Sequence, residues 1–386
     1  MRRLRIASVF AGVLLLVMAI VSCMQPGPGK PAAMRAGREI PAVRKEPAGL
    51  GKPEAERASP CRSFFEKSLH FTGEGMRYWY EGECGFMQVT GIPYKDLGCK
   101  SCHVYSCDAC HGEKKNGRMV FSISKSRERE TCLVCHARAK AAAKFDKKAG
   151  VEDVHVAAGL VCADCHGQMD AHCDGESYNS MRAPGAVKVS CSTKDCHGDL
   201  DMTIPAHKKH GKKKIDCAAC HVSSTITCMN CHFDHFRKVK KRVPGKNFFP
   251  AKSWTLLVQH EGRVTTGNAQ TLVCKGRKFV AYVPYFTHSV VKKGRKCNDC
   301  HNNEAAARML KGQRVDMARF ADGKVTHYEG VVPFVPDLLA WPWLDKDKDD
   351  KWVRLKTDEK PIIQKACYVE PLDEMQLKKL RIKMGE

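Results

Sequence analysis

"CKSCHVYSCDACHG", residues 99–112, carries two Cys-x-x-Cys-His runs whose first cysteines stand eight residues apart. That pentapeptide is the attachment signature of c-type haem. Its two thiols add across the haem vinyl groups, and the adjacent imidazole becomes the proximal ligand of the iron. Outward from this stretch the strict motif recurs. The copies are Cys99/Cys102/His103, Cys107/Cys110/His111, Cys132/Cys135/His136, Cys162/Cys165/His166, Cys217/Cys220/His221, Cys228/Cys231/His232 and Cys297/Cys300/His301. An eighth, "CSTKDCH", is wider: four residues separate Cys191 from Cys196, and His197 follows. With 22 Cys and 17 His in 386 residues, random placement yields roughly 0.06 strict copies. Seven are present, so the sequence predicts eight covalently attached haem c groups, each with an iron.

Two other uses of paired cysteines compete with haem. Structural zinc takes four nitrogen or sulfur ligands and has no need of a histidine directly after each pair. A disulfide framework likewise gives that histidine no role. The N-terminus adds a further argument against zinc. Residues 1–22 open with Arg2, Arg3 and Arg5 and continue in an apolar run from Ile6 to Val21. This is the composition of an export signal peptide, and sixteen residues fall short of the roughly 20 that span a membrane. Ile20-Val21-Ser22-Cys23 reads as a lipobox, which makes Cys23 the expected lipid anchor to a membrane. Residues 23–57, rich in Pro, Gly and Ala, read as a linker that buries no core. The expected location is the periplasm or outer membrane, where c-type haem and disulfides both fit.

The formal charge of +23 would ordinarily suggest nucleic acid or an anionic surface. Eight haems bring sixteen propionates, which lower it to about +7 when ionised. The runs "KKHGKKK" (208–214), "RKVKKR" (237–242) and "KKGRK" (292–296) lie beside motifs. They read as propionate partners and solvated surface, and no nucleic acid is expected. Between Cys99 and His301 there are about 25 residues per haem, too few for a polypeptide core around each one. The haems are therefore expected to pack on one another.

The expected fold is a multihaem cytochrome c of loops and short α-helices around stacked haems. A small antiparallel β element of two to four strands is expected near 253–286, where Val, Thr and aromatics alternate between Gly262, Gly267 and Gly276. The octahaem domain is read as 58–301 and a C-terminal extension as 302–386. Helices are expected over 137–148, after His301, and after Pro371. "DKDKDDKW" (345–352) lacks the Gly and Glu of a calcium loop and reads as a charged turn. Outside the motifs and Cys23 stand Cys61, Cys84, Cys173, Cys274 and Cys367. Cys61–Cys84 is the simplest disulfide, and the odd count leaves a thiol over.

Iron has a second axial position, and nine histidines remain to fill eight of them. His70, His155, His172, His207, His210 and His288 are the leading distal ligands, and His235, His260 and His327 follow. His207 and His210, three apart, are expected to serve two different haems. Closed six-coordinate iron carries electrons, whereas an open position admits substrate.

Together the eight motifs, "SLHFTGEGMRYWY", "HVAAGLVCADCHG", "DAHCDGESYNSM" and "PYFTHSVVKKGRKCNDCH" resemble bacterial octahaem c-type cytochromes. The likeness is to the tetrathionate-reductase-like and hydroxylamine-oxidoreductase-like multihaem group, over roughly residues 60–301. The resemblance implies an oxidoreductase of a small nitrogen or sulfur compound (tetrathionate, nitrite, hydroxylamine) at one open or unusually ligated haem. The near-complete histidine count points instead to electron transfer. In that reading the chain runs between a membrane donor, such as a quinol-oxidising complex or another cytochrome, and a periplasmic or extracellular acceptor.

Intact mass of the purified protein, less its polypeptide mass, is expected to equal eight haems. A value of seven, unchanged by Cys191→Ser/Cys196→Ser, would remove the wide motif from the set.

Overall fold

A computed structural model describes residues 64–97, 103–211, 214–232, 249–251, 254–285, 288–349 and 351–383. The signal segment, Cys23, the linker, Cys61, Cys99, Cys102, His235 and the run 237–242 lie outside the described residues. Of Cys228, Cys231 and His232 only the backbone is described. The described residues belong to one compact unit, a mixture of short helices and small sheets around one larger sheet.

That sheet has seven strands: β1 Thr227–His232, β2 Phe249–Ala251, β3 Trp254–His260, β4 Arg263–Cys274, β5 Arg277–Pro284, β6 Gly330–Pro333 and β7 Ile362–Lys365. β3, β4 and β5 form an antiparallel meander over the stretch rich in Val, Thr and aromatics. Its two tight turns are Glu261-Gly262 and Lys275-Gly276, with φ of 50°/70° and 50°/74°. Two consecutive positive φ values match the twist of an antiparallel hairpin, and glycine adopts them without strain. Gly267 does not mark a turn. It lies inside β4, where a Cβ would meet Val258 Cγ1 at 2.4 Å, so it lets two strands pack closely.

The sheet is larger than two to four strands, and it is mixed. β6 pairs with β3 in parallel, and β7 pairs with β5 in parallel. β1, which carries Cys228 and Cys231, also runs parallel to β4. Residues 302–386 thus complete the sheet. Helix Glu304–Met309 and helix Glu374–Arg381 cover it. The second helix is capped by Asp373, whose side chain accepts from Gln376 N–H, rather than opened by Pro371. The main core holds Trp254, Leu256, Val258, Tyr282, Phe334 and Met309, all essentially buried. Trp341 Nε1 donates to the buried Tyr282 Oη at 2.8 Å. Leu344–Lys346 pairs antiparallel with Trp352–Arg354, and between them Asp347 accepts from Asp349 N–H and Lys351 N–H.

A second cluster joins the N-terminal helices to the sheet. Tyr80, Val89, Tyr94 and Leu97 pack on Leu272, Cys274 and Phe279, and the Phe86 and Phe279 rings stand 4.1 Å apart. Residues 103–221 have little core of their own. Among the described residues there, the buried apolar set is Val104, Leu133, Ala142, Cys173, Ala218 and Ala219. Val134, between the two cysteines of a motif, is 77% exposed. The longest helix of this region is Ala137–Lys148.

Phe279→Ala removes the side chain that docks residues 80–97 on the sheet. Denaturation followed by far-UV circular dichroism is expected to report a loss of about 3–5 kcal/mol, with the number of attached haems unchanged.

Candidate functional site

Four of the strict motifs make one tight turn that returns the histidine to its first cysteine, whereas Cys228–His232 lies on strand β1. His111, His136, His166 and His301 donate their backbone N–H to the carbonyls of Cys107, Cys132, Cys162 and Cys297, at 2.8–3.0 Å. The wide motif closes in the same way: His197 N–H donates to Cys191 C=O at 3.2 Å. Two extra residues lengthen the loop without changing how it closes.

The motif histidines stand opposite histidines that belong to no motif. The ring pairs are His136–His70 at 6.1 Å between centroids, His111–His172 at 5.9 Å, and His197–His155 at 6.2 Å. The others are His166–His288 at 6.2 Å, His221–His207 at 6.1 Å, and His301–His210 at 6.2 Å. Two imidazole nitrogens bound to one metal at about 2 Å each place the ring centres roughly 6.3 Å apart. The angle between the rings, by contrast, runs from 19° to 81°. An axial imidazole can rotate about its metal–nitrogen bond without changing that bond's length. Spacing is therefore fixed and rotation free, as two-sided metal ligation requires. Among the described residues no group of three or more His, Cys, Asp or Glu could hold a metal unaided. The pairs fit a metal whose remaining ligands come from a macrocycle.

In seven of these twelve rings Nδ1 is committed elsewhere. His111 Nδ1 is bonded to Ser122 C=O, His221 Nδ1 to Val291 C=O, and His301 Nδ1 to Lys379 C=O, at 3.0–3.2 Å. His70 Nδ1 meets Ala171 C=O at 3.1 Å and His207 Nδ1 meets Asp201 C=O at 3.0 Å. His166 Nδ1 pairs with Asp170 Oδ2 at 3.1 Å, and His155 Nδ1 with Asp153 Oδ1 at 3.5 Å. Such a bond selects the tautomer that leaves Nε2 free to ligate, and a carboxylate partner makes the imidazole a stronger donor. Burial holds His136, His172 and His288 below the usual histidine range, with neighbouring histidines adding to the effect. They stay neutral, the form that binds metal.

The local folds that present these rings are economical. After His111 a hairpin, Gly112–Phe121, turns on Asn116-Gly117 and delivers Ser122 to its ring. His207 and His210 share one turn of π-type helix, His207–Gly211, and face His221 and His301 respectively. Such turns concentrate at functional sites.

The motifs also lie near one another, four of the five contacts joining successive motifs and the fifth passing over Cys228–His232. Cys132 is hydrogen-bonded with Cys162, and Cys191 with Cys217. Cys110 lies in the field of Cys135, Cys165 in that of Cys196, and Cys300 in that of Cys220. Burial pushes the Cys300 thiol up to about 11. A thioether carries no charge and suits such surroundings.

The first motif differs. His103 Nε2 is hydrogen-bonded to Tyr94 Oη at 2.8 Å, and its Nδ1 to Tyr105 Oη at 3.2 Å. His260 and His327 face no motif histidine among the described residues, and each has a buried Nδ1 without a hydrogen-bond partner. Cys84, Cys173, Cys274 and Cys367 form no disulfide among the described residues, and Cys61 lies outside them. Tyr94 and the Nδ1 partners Asp153 and Asp170 were not among the residues singled out from sequence. The signal for the two aspartates is their spacing: Asp170 follows His166 by one helical turn, and Asp153 caps the helix bearing His155.

No protein-family model, curated protein or solved structure matches the chain. Among the described residues no helix is long and apolar enough to cross a membrane.

His207→Ala and His210→Ala are each expected to convert one haem, a different one in each variant, from low-spin to high-spin. EPR of the oxidised protein with potentiometry checks this. A variant that leaves every haem signal unchanged would remove that histidine from the ligand set.

Proposed function

We propose that the protein is an exported octahaem c-type cytochrome that carries electrons along closely packed, mostly bis-histidine haems. Haem supplies the one-electron chemistry. The cysteines of the eight motifs would hold it, and His103, His111, His136, His166, His197, His221, His232 and His301 would ligate the proximal face. His70, His155, His172, His207, His210 and His288 would ligate the distal face. One observation carries the reading: six motif histidines each stand opposite a non-motif histidine at 5.9–6.2 Å. A site with imidazole on both sides has no coordination position for a substrate. The cysteine contacts between successive motifs support close spacing along the array. The expected partners are a quinol-oxidising membrane complex or another cytochrome on the donor side, and a periplasmic or extracellular acceptor. Cys23 would provide a lipid tether.

A second reading, reduction or oxidation of a small nitrogen or sulfur compound, is favoured by the Tyr94–His103 contact, where among the described residues a phenol and not a histidine faces the motif ring.

Voltammetry of the protein adsorbed on an electrode separates the two. The conduit predicts reversible electron uptake by all the haems over a broad potential range, unaltered by nitrite, hydroxylamine or tetrathionate. A catalytic wave with any of the three would move the assignment to the second reading.

A further inference from the structure

Asp153 is 8% exposed, and both of its carboxylate oxygens are bonded. Oδ1 accepts from His155 N–H at 2.9 Å and from Val156 N–H at 3.1 Å, and it lies 3.5 Å from His155 Nδ1. The two backbone bonds make an N-cap, which Ser or Asn would supply as well. Oδ2 makes a bond that a cap does not need. It accepts from Val290 N–H at 2.9 Å, 137 residues along the chain. The same junction is closed from the other side, where Val154 N–H donates to Val290 C=O at 3.0 Å.

Residues 288–291 are the segment held in this way. His288 faces His166. Ser289 is fully buried and donates its hydroxyl to Asp146 Oδ2 in helix Ala137–Lys148. Val291 C=O meets His221 Nδ1 at 3.0 Å, and Val291 N–H donates to His221 C=O at 2.9 Å. Asp153 thus meets His155 directly, and through Val290 it holds the short segment that carries His288 and anchors His221. Those rings belong to the pairs His197–His155, His166–His288 and His221–His207. The contacts of Cys165 with Cys196 and of Cys191 with Cys217 make these three consecutive sites.

We propose that Asp153 is a shared positioning residue, one buried carboxylate that sets ring direction at three consecutive haem sites. The inference rests on the bis-histidine reading above. Hydrogen bonds to an ionised acceptor are shorter and stronger than those to a neutral one, and low-dielectric surroundings strengthen them further. Two backbone segments far apart in sequence are thereby fixed to one rigid group, and the rings they carry keep their orientation relative to one another. A carboxylate beside an imidazole also makes it a stronger donor, which favours ferric iron at the His155 site.

The test uses the full, haem-loaded chain and its Asp153→Ala and Asp153→Asn variants. Low-spin EPR signals of the oxidised protein are first assigned with His155→Ala, His288→Ala, His207→Ala, His210→Ala, His70→Ala and His172→Ala, each of which removes one signal. Asp153→Ala is expected to move the g values assigned through His155, His288 and His207 and to raise the midpoint potential of the His155 site. The signals assigned through His70, His172 and His210 stay in place. Asp153→Asn keeps the cap and the volume but loses the bond to Val290 N–H, so it moves the His288 and His207 signals; it decides the matter if Asp153→Ala does not load with haem. No shift, a shift confined to the His155 signal in both variants, or an equal shift of every signal overturns the proposal. If the histidine variants themselves remove no low-spin signal, the bis-histidine reading fails and this inference falls with it.

Discussion

An imidazole has two ring nitrogens, and committing one of them determines what the other can do. In this protein the committed nitrogen is Nδ1, bound to a backbone carbonyl at His70, His111, His207, His221 and His301 and to a carboxylate at His166. The arrangement fixes tautomer and ring direction together, so less side-chain entropy remains to be lost on ligation. Six ring pairs on unrelated stretches of backbone then converge on one spacing, while their interplanar angles vary widely. Packing alone would restrict both quantities. Ligation to a common atom restricts only the first.

Two of the anchors lie far along the chain from the rings they hold. Lys379 C=O, which meets His301, lies 78 residues away in the C-terminal helix, and Val291 C=O, which meets His221, lies 70 residues away. Both belong to the half of the chain that contains the sheet and most of the buried apolar side chains. The sheet thus serves as the rigid body that residues 103–221 do not form for themselves. Helix Glu374–Arg381 packs on that sheet and holds the His301 ring through Lys379 C=O.

The strict motifs were legible because each is a contiguous pentapeptide, and the non-motif histidines could be counted. Their partners were not legible. His288 faces His166 and His210 faces His301 through the folding of long intervening segments, which leave no local pattern. The meander 254–284 announced itself by β-branched and aromatic residues. β6 and β7 did not, since each is a four-residue strand paired in parallel with a distant strand, and parallel pairing requires no adjacent turn signal. Tyr94 escaped notice because its contact with His103 spans nine residues and leaves no motif. "CSTKDCH" differs from its neighbours in sequence, yet the His197 N–H to Cys191 C=O bond closes its loop as in the strict motifs.

The odd site is joined directly to the regular ones. Val104 N–H, next to His103, donates to the carbonyl of His70 at 3.0 Å, and His70 is the ring opposite His136. One residue past the helix that carries His70, Gly73 lies on the His103 ring. A single helical turn therefore carries one ring of a facing histidine pair and ends on a wall of the His103 ring. The contact at His103 differs in kind from the six ring pairs: a phenol oxygen 2.8 Å from Nε2 makes a direct hydrogen bond, whereas ring centres 5.9–6.2 Å apart leave room for an atom between two nitrogens.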